Sequence, residues 1–204
     1  MSSIATPGPV LRIGVILAST WRARGGESLA KWIHRILVER PGVDAELLDL
    51  RDYRFLVHAR EEIPSVAGKR LASGIASRWS EKIHGLDGYV FVTPEYNQVY
   101  PGQLKNAIDH VAPGWWYKPV AFVSYGGSSL GTRAVEQLSG FAVETRMVPV
   151  RSEVNVRLIE LQANEAGRPP SPYYARTASS MIDELLWWAQ TTKVGRASVA
   201  PPGL

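Results

Sequence analysis

Three stretches of the 204-residue chain carry side chains suited to gripping a ligand. The first is Ser19-Thr20-Trp21-Arg22-Ala23-Arg24-Gly25-Gly26-Glu27-Ser28, where hydroxyls, two arginines and paired glycines stand just ahead of a helix pattern. Helix N-terminal amides and the helix dipole favour an anion such as a phosphate there, and Arg24 adds a charge-assisted bond. Glu27 suits a helix N-terminus but repels an anion, so it must point away or bond a backbone amide. The second stretch runs from Thr93 to Asp109 and begins Thr93-Pro94-Glu95-Tyr96-Asn97-Gln98-Val99-Tyr100-Pro101-Gly102. It is too elaborate for a plain connection. Tyr96, Asn97 and the amides after Pro94 suit the polar rim of a flat ring system. The third is Ser124-Tyr125-Gly126-Gly127-Ser128-Ser129-Leu130-Gly131, whose glycines let backbone lie close to such a ring.

Other chemistries lack their residues. No Gly-Lys-Ser/Thr follows the first loop, so it is no P-loop, and a Gly-x-Gly-x-x-Gly fingerprint is missing after the first strand. Ser124 has no Gly-x-Ser-x-Gly elbow around it. His34, His58, His84 and His110 have no metal-ligand spacing, and cysteine is absent, which removes disulfides, thiolate metal sites and cysteine nucleophiles together. Glu95 and Asp109 are not marked as an acid–base pair. The reading therefore names binding residues, no metal and no catalytic side chain.

The loops need a scaffold. Leu11–Ala18, Val43–Leu50, Gly88–Val92, Val120–Tyr125 and Met147–Val150 are short apolar runs of the kind that form buried strands. Helical periodicity separates them: Leu29, Trp32, Ile33, Ile36 and Leu37; Ala72, Ile75, Ala76, Trp79 and Ile83; Leu104, Ile108 and Val111; then Val135, Leu138, Phe141 and Ala142. A last helix buries Met181, Ile182, Leu185, Leu186 and Trp188. Residues 51–68 and 151–172 read as loops, the first over the site. Alternating strands and helices predict an α/β fold, a flavodoxin-like three-layer sandwich on a five-stranded parallel sheet of order 2-1-3-4-5. In that order the loops after strands one, three and four meet at the switch point. Each has a composition suited to one part of flavin mononucleotide (FMN). The predicted organisation is an N-terminal extension (1–10), a single domain (11–193) and a flexible tail (194–204). Trp115-Trp116 and Trp187-Trp188 read as core or interface residues.

Composition sets the outer limits. At 45% apolar residues a substantial core is available, and the net charge of +4 with a pI near 9.4 is spread along the chain. Only Arg22 with Arg24 and Lys69 with Arg70 sit close together, which argues against nucleic acid as a partner. Ile13–Ala18 is too short for a membrane span and has no basic region before it. A cytoplasmic protein without a membrane partner is expected.

The motifs also resemble a known family. Pro94-Glu95-Tyr96-Asn97, Pro101-Gly102 and Leu104-Lys105-Asn106-Ala107-Ile108-Asp109 are similar to the signature of the NADPH-dependent FMN reductases, which include quinone, azo-dye and chromate reductases. The resemblance extends over residues 11–150, taking in the Ser-Thr loop and Ser124-Tyr125-Gly126-Gly127. It implies bound FMN, NADPH as hydride donor, a small-molecule electron acceptor such as free flavin or a quinone, and a homodimer or homotetramer. It also implies that Ser19, Thr20 and Arg24 hold the phosphate. Pro94, Glu95, Tyr96 and Asn97 would line the ring, with Ser124, Tyr125, Gly126 and Gly127 closing its other edge. Three positions depart from the pattern. Ala18 and Trp21 stand where members usually carry glycine and arginine, and Val99, followed by Tyr100, stands where a small hydroxyl residue is common. The expected activity is that of an NAD(P)H-dependent FMN or quinone reductase. The alternatives are a flavin-binding electron carrier or redox sensor, and a pathway-specific reductase of one bulky aromatic substrate, with Val99, Tyr100, Trp115 and Trp116 shaping its pocket.

Overall fold

A computed structural model describes residues 10–53, 74–111, 113–162 and 171–202. Strands β1 (Leu11–Leu17), β2 (Val43–Asp49), β3 (Gly88–Pro94), β4 (Pro119–Gly126) and β5 (Val148–Pro149) form a parallel sheet in the order β2-β1-β3-β4-β5. β-Branched and aromatic residues dominate β3 and β4, and both are buried along their whole length, as strands covered on two faces must be. The register places Leu17 beside Val92 and Val92 beside Val123. The carboxyl ends of β1, β3 and β4 therefore lie level, and the three ligand-suited loops leave the sheet from one edge.

The described α-helices are α1 (Gly26–Val38), α2 (Ile75–His84), α3 (Gly102–Asp109), α4 (Thr132–Glu144), α5 (Leu158–Gln162) and α6 (Pro172–Ser198). On one face, Leu29, Ile33 and Leu37 of α1 and Met181, Ile182, Leu185 and Ala189 of α6 pack on Val15, Val90, Val92 and Val123. On the other face, Trp79 and Ile83 of α2, Leu104 and Ile108 of α3 and Val135 and Leu138 of α4 cover Ile16, Phe91 and Phe122. The three layers and the strand order agree with the sequence reading. None of the described helices is long and apolar enough to cross a membrane.

Several elements differ from expectation. Within the stretch 151–172, of which residues 163–170 lie outside the described residues, β6 (Val154–Arg157) pairs in parallel with the end of β4, and α5 follows it directly where loop was expected. The last helix runs to Ser198, into the stretch expected to be a frayed tail. Its end is fastened, because Tyr117 Oη and Arg146 Nη1 both donate to the Pro202 carbonyl at 2.8 Å. β4 holds Ser124 and Tyr125, as the strand reading had them, and runs one residue further to take in Gly126. Trp115 is no pocket residue. It is fully buried, its Nε1 donates to the Ile108 carbonyl at 3.0 Å, and its ring lies 4.7 Å from Tyr89 and 6.1 Å from Trp79. Most of the loop expected at 51–68 lies outside the described residues, as does Ala72 at the start of the second helix pattern.

At the opposite edge of the sheet, Asp87 gathers both ends of the fold. It accepts from the Arg12 amide (3.0 Å), from Lys193 (2.7 Å) and from Arg196 (3.3 Å), while Lys193 also donates to the Val10 carbonyl at 2.8 Å. Beside this node the buried Lys118 ammonium donates to the Ile83 and His84 carbonyls at the C-terminus of α2, at 2.9 and 3.0 Å. Burial first, then repulsion from Arg196, pulls its pKa from 10.5 down to about 7. A folded-state value below the unfolded one means that the unfolded chain binds the extra proton between those values. Lys118 therefore adds stability as pH rises through that window. Between pH 7 and 9 the gain is about 2 kcal/mol. Urea titrations at the two pH values should show it in the parent protein, and Lys118→Met should flatten it; an equal gain in the variant would assign the effect to other groups.

Candidate functional site

A cavity of about 910 Å³ opens where the three loops meet. Its floor is the turn into α1, its two sides are the ends of β3 and β4, and α5 closes one flank through Leu158 and Leu161. Among the residues expected to bind the cofactor, Arg24, Pro94, Glu95, Tyr96, Tyr125, Gly126 and Gly127 line it. Ser19, Thr20, Asn97 and Ser124 do not.

Helix α1 begins without a side-chain cap. The amides of its first turn therefore face the cavity end without an intrahelical partner, the arrangement that receives an anion. Ser28, Lys31 and Arg35, on the turns that follow, complete this wall with Arg22. Glu27 does not compete with an anion as a bare charge. Lys31 Nζ bonds it at 2.8 Å and Arg24 Nη2 at 3.4 Å, and the carboxyl is held below the usual carboxylate range, foremost by the Lys31 bond. Glu27, Lys31 and Arg35 recur every four positions, so this row of one acid and two cations was readable from spacing alone.

Arg24 is committed inward. Its side chain is only 1% exposed, Nη1 donates to Asp49 Oδ1 and to the Ser19 carbonyl, both at 2.7 Å, and Nη2 reaches Asp49 Oδ2. Asp49, the last residue of β2, also accepts from the Arg51 amide (2.9 Å) and guanidinium (3.0 Å). Burial opposes ionisation of Asp49, but the bonds from Arg24 and Arg51 outweigh it and hold its pKa down at about 2. Arg24 thus ties the first loop to the end of β2, and its Nε is buried without a partner.

Tyr96 is fixed at both ends. Its hydroxyl shares a 2.8 Å hydrogen bond with Ser19 Oγ, and its backbone pairs with Val99 in both directions, at 2.8 and 3.0 Å. Between them, Asn97 (φ 50°) and Gln98 (φ 72°) make a two-residue turn with both centres left-handed, which is why an asparagine stands there. Asn97 is exposed at the tip of that turn. Trp21 stacks on Tyr96, with ring centroids 4.6 Å apart and planes 17° from parallel. Glu95 faces the third loop: it accepts from Ser129 Oγ at 2.7 Å and from the Arg133 amide at 3.2 Å, which locks the two ring-side loops together.

Tyr125 closes the centre. It is 4% exposed, its hydroxyl lies near Ser19 and the Gly26 amide without a well-formed hydrogen bond to either, and burial foremost raises its pKa, so it remains a protonated donor. A Cβ on Gly26 would come within 2.7 Å of that hydroxyl, so the glycine is what lets the helix start meet the tyrosine. Ser124 is a structural bond, donating to the Leu130 carbonyl at 2.9 Å and to Asn155 Oδ1 at 2.6 Å. Thr20 faces another cavity, of about 530 Å³, which it shares with Arg22, Arg51, Gln103 and Asn106.

FMN, a phosphate at one end and a flat ring at the other, fits these residues. The uncapped α1 turn offers amides, Tyr125 offers a buried hydroxyl without a partner, and nothing lies within 4 Å of where a Cβ on Gly127 would be. The sequence reading missed Asp49, Ser129, Leu158 and Leu161. Asp49 lies 25 positions from Arg24, and the two leucines belong to a short helix that periodicity cannot register.

Comparison with known proteins gives a consistent result. A family model described as NADPH-dependent FMN reductase matches residues 11–160. The NAD(P)H-dependent FMN reductase ntnL of Nectria sp is 37% identical over 132 residues, which are 63% of this chain and 65% of that protein. The NAD(P)H-dependent FMN reductase C4B3.06c of Schizosaccharomyces pombe is 34% identical over 140 residues, 68% of this chain and 70% of that one. The chain thus spans about two thirds of the length of these curated relatives. Among solved structures, the flavoenzyme NAD(P)H:(acceptor) oxidoreductase FerB of Paracoccus denitrificans superposes with a TM-score of 0.73 over 90% of this chain and 99% of that one. Its 22% identity makes this a likeness of fold.

Proposed function

Because the chain belongs to the NADPH-dependent FMN reductase family, we propose that it is an NAD(P)H-dependent oxidoreductase that holds FMN in the cavity between α1, β3 and β4 and reduces a small acceptor. The observation that carries this reading is the joining, in one cavity, of an uncapped helix start and the buried, partnerless Tyr125 hydroxyl. When bound, FMN supplies the redox chemistry, receiving a hydride from NADPH and releasing two electrons to an acceptor such as free flavin or a quinone.

The chain's own residues bind and orient. The first-turn amides of α1 hold the phosphate, with Arg22, Lys31 and Arg35 around it. Pro94, Glu95 and Tyr96 lie along one edge of the ring, and Gly126 and Gly127 leave room at the other. Tyr125 donates its hydroxyl to an acceptor atom of the ligand. Leu158 and Leu161 keep water from that flank. Arg24 positions the loop rather than touching the phosphate, and Ser19 positions Tyr96. Asn97, Ser124 and Thr20 likewise shape the loops: Asn97 through its turn, Ser124 through Asn155 and Thr20 at the neighbouring cavity. The cationic wall draws in anionic NADPH. A homodimer or homotetramer in the cytoplasm completes the reading; the exposed Trp187, packed edge-on to Trp188, and the cysteine-free composition support it.

The test is spectroscopic. Purified protein incubated with FMN and desalted should be yellow, and anaerobic NADPH should bleach it. A bound flavin that NADPH leaves oxidised points to an electron carrier or sensor. Protein that takes up no FMN overturns the cofactor assignment.

A further inference from the structure

We propose that Trp21 is the platform on which a flat aromatic acceptor with a carbonyl at its rim docks, and that it sets the acceptor class of this site. The inference deepens the FMN reading and rests on it.

The starting observation is an aromatic side chain left in water. Trp21 is 62% exposed, although the sheet beside it buries tryptophans completely at 79 and 115. Its inner face is nevertheless ordered, lying 4.6 Å from Tyr96 and within 17° of parallel. Tyr96 in turn cannot drift, because Ser19 Oγ holds its hydroxyl and the Tyr96–Val99 backbone pair holds its Cα. Trp21 is therefore a ring kept flat by a ring that is itself pinned. One face is used and the other is presented at the wall of the cavity. Preorganisation of this kind reduces what a ligand loses on binding.

The edge chemistry is set by the next residue. Arg22 lines the same cavity and has no hydrogen-bond or ion-pair partner among the described residues. A guanidinium beside a stacking face suits a planar ring that carries an acceptor oxygen at its rim, and five donors in a fixed plane leave it several approaches to that oxygen. Quinones and isoalloxazines share this chemistry. An acceptor without a ring gains nothing from it.

The test compares FMN-loaded parent protein with Trp21→Ala and Trp21→Phe, using 2-methyl-1,4-naphthoquinone, riboflavin and ferricyanide as acceptors. For the ring-bearing acceptor that the site takes, the ratio of its KM to that of ferricyanide should rise about three- to tenfold in Trp21→Ala, the size of one aromatic stacking contact. Trp21→Phe should restore most of it. The arm in which the ratio moves identifies quinone or flavin as the acceptor. Without NADPH, titrating naphthoquinone or riboflavin should quench tryptophan fluorescence in the parent, with the half-point shifted to higher concentration in Trp21→Ala. Ratios and half-points unchanged for both rings overturn the proposal, as does an FMN dissociation constant that tightens in Trp21→Ala, which would place Trp21 in the cofactor's own space. Parent protein that takes up no FMN overturns the functional reading and this proposal with it, whereas an indifferent Trp21→Ala in an FMN-loaded protein overturns this proposal alone.

Discussion

Asp49→Ala should lower stability by about 3 kcal/mol and weaken FMN binding at least tenfold, because it strands a buried guanidinium. Arg24 has 1% of its side chain exposed, and Asp49 takes bonds from both of its terminal nitrogens. Removing the carboxylate leaves a charge that can neither reach water nor find another anion of equal geometry, since Glu27 is already shared with Lys31. The Arg51 amide and guanidinium lose their acceptor in the same step. The first loop then loses its tie to β2, and the start of α1 loses its position. The double variant Arg24→Met/Asp49→Ala should recover most of the stability, because removing both members of a buried pair removes the stranded charge. It should not recover the FMN affinity. Asp49 also sets an acid arm. Its folded pKa of about 2 lies below the ordinary 3.8. The stabilisation it brings is complete above the ordinary value and is lost as pH falls through 2. The gap between parent and Asp49→Ala should therefore close over that range. Urea titrations at pH 7 and across the acid arm measure both effects. A stability loss under about 1 kcal/mol would mean the pair acts as an ordinary surface ion pair.

Gly131→Ala should be comparably damaging for a different reason. Gly131 sits at φ 89°, and a Cβ there would come within 2.7 Å of Ser124 Cβ and 2.9 Å of the Tyr125 amide nitrogen. The left-handed backbone costs an alanine about 1–2 kcal/mol and overpacking against fixed backbone about 1–3 kcal/mol more. Ser124 cannot yield, because Leu130 and Asn155 hold its hydroxyl. The melting temperature should fall by roughly 6–12 °C for a chain of this size, with α4 and the Glu95 contacts displaced. Gly127→Ala is the control: nothing lies within 4 Å of its Cβ position, so its melting temperature should stay within about 2 °C of the parent. Equal losses in the two variants would show that loop flexibility, rather than the close approach at Gly131, is what matters.

The sheet was largely legible because its information is local. β1, β3 and β4 are nearly continuous apolar runs, and the α1 residues Leu29, Ile33 and Leu37 face the core at their helical spacing. β6 escaped because the alternation of Val154-Asn155-Val156-Arg157 covers only four residues, and it becomes a strand by adding to the free end of β4. Trp115 was read as a core or interface residue and, in one alternative only, as part of a pocket; the core reading holds, with its ring turned inward onto Tyr89 and Trp79. At the site, sequence located the loops but not the direction in which their side chains point. Asn97 was read for its amide, and the structure uses its tolerance of a left-handed backbone. Arg24 was read as a phosphate ligand, and a carboxylate from another strand claims its charge. Such partners are chosen by the fold and leave no mark in the local pattern.

The Asp87 node also bears on synthesis. A ribosome makes β1 first and α6 last, yet Lys193 of the one bonds the Val10 carbonyl just ahead of the other. Leu11, Val15 and Leu17 belong to the same buried cluster as Met181, Leu185 and Ala189. The opening strand is thus translated long before its final cover exists. During elongation it carries an apolar face that α1 only partly shields, and such unburied surface is what nascent chains must keep from aggregating. Completion of the domain waits on α6, and the clasp at Asp87 fastens only once that helix has emerged.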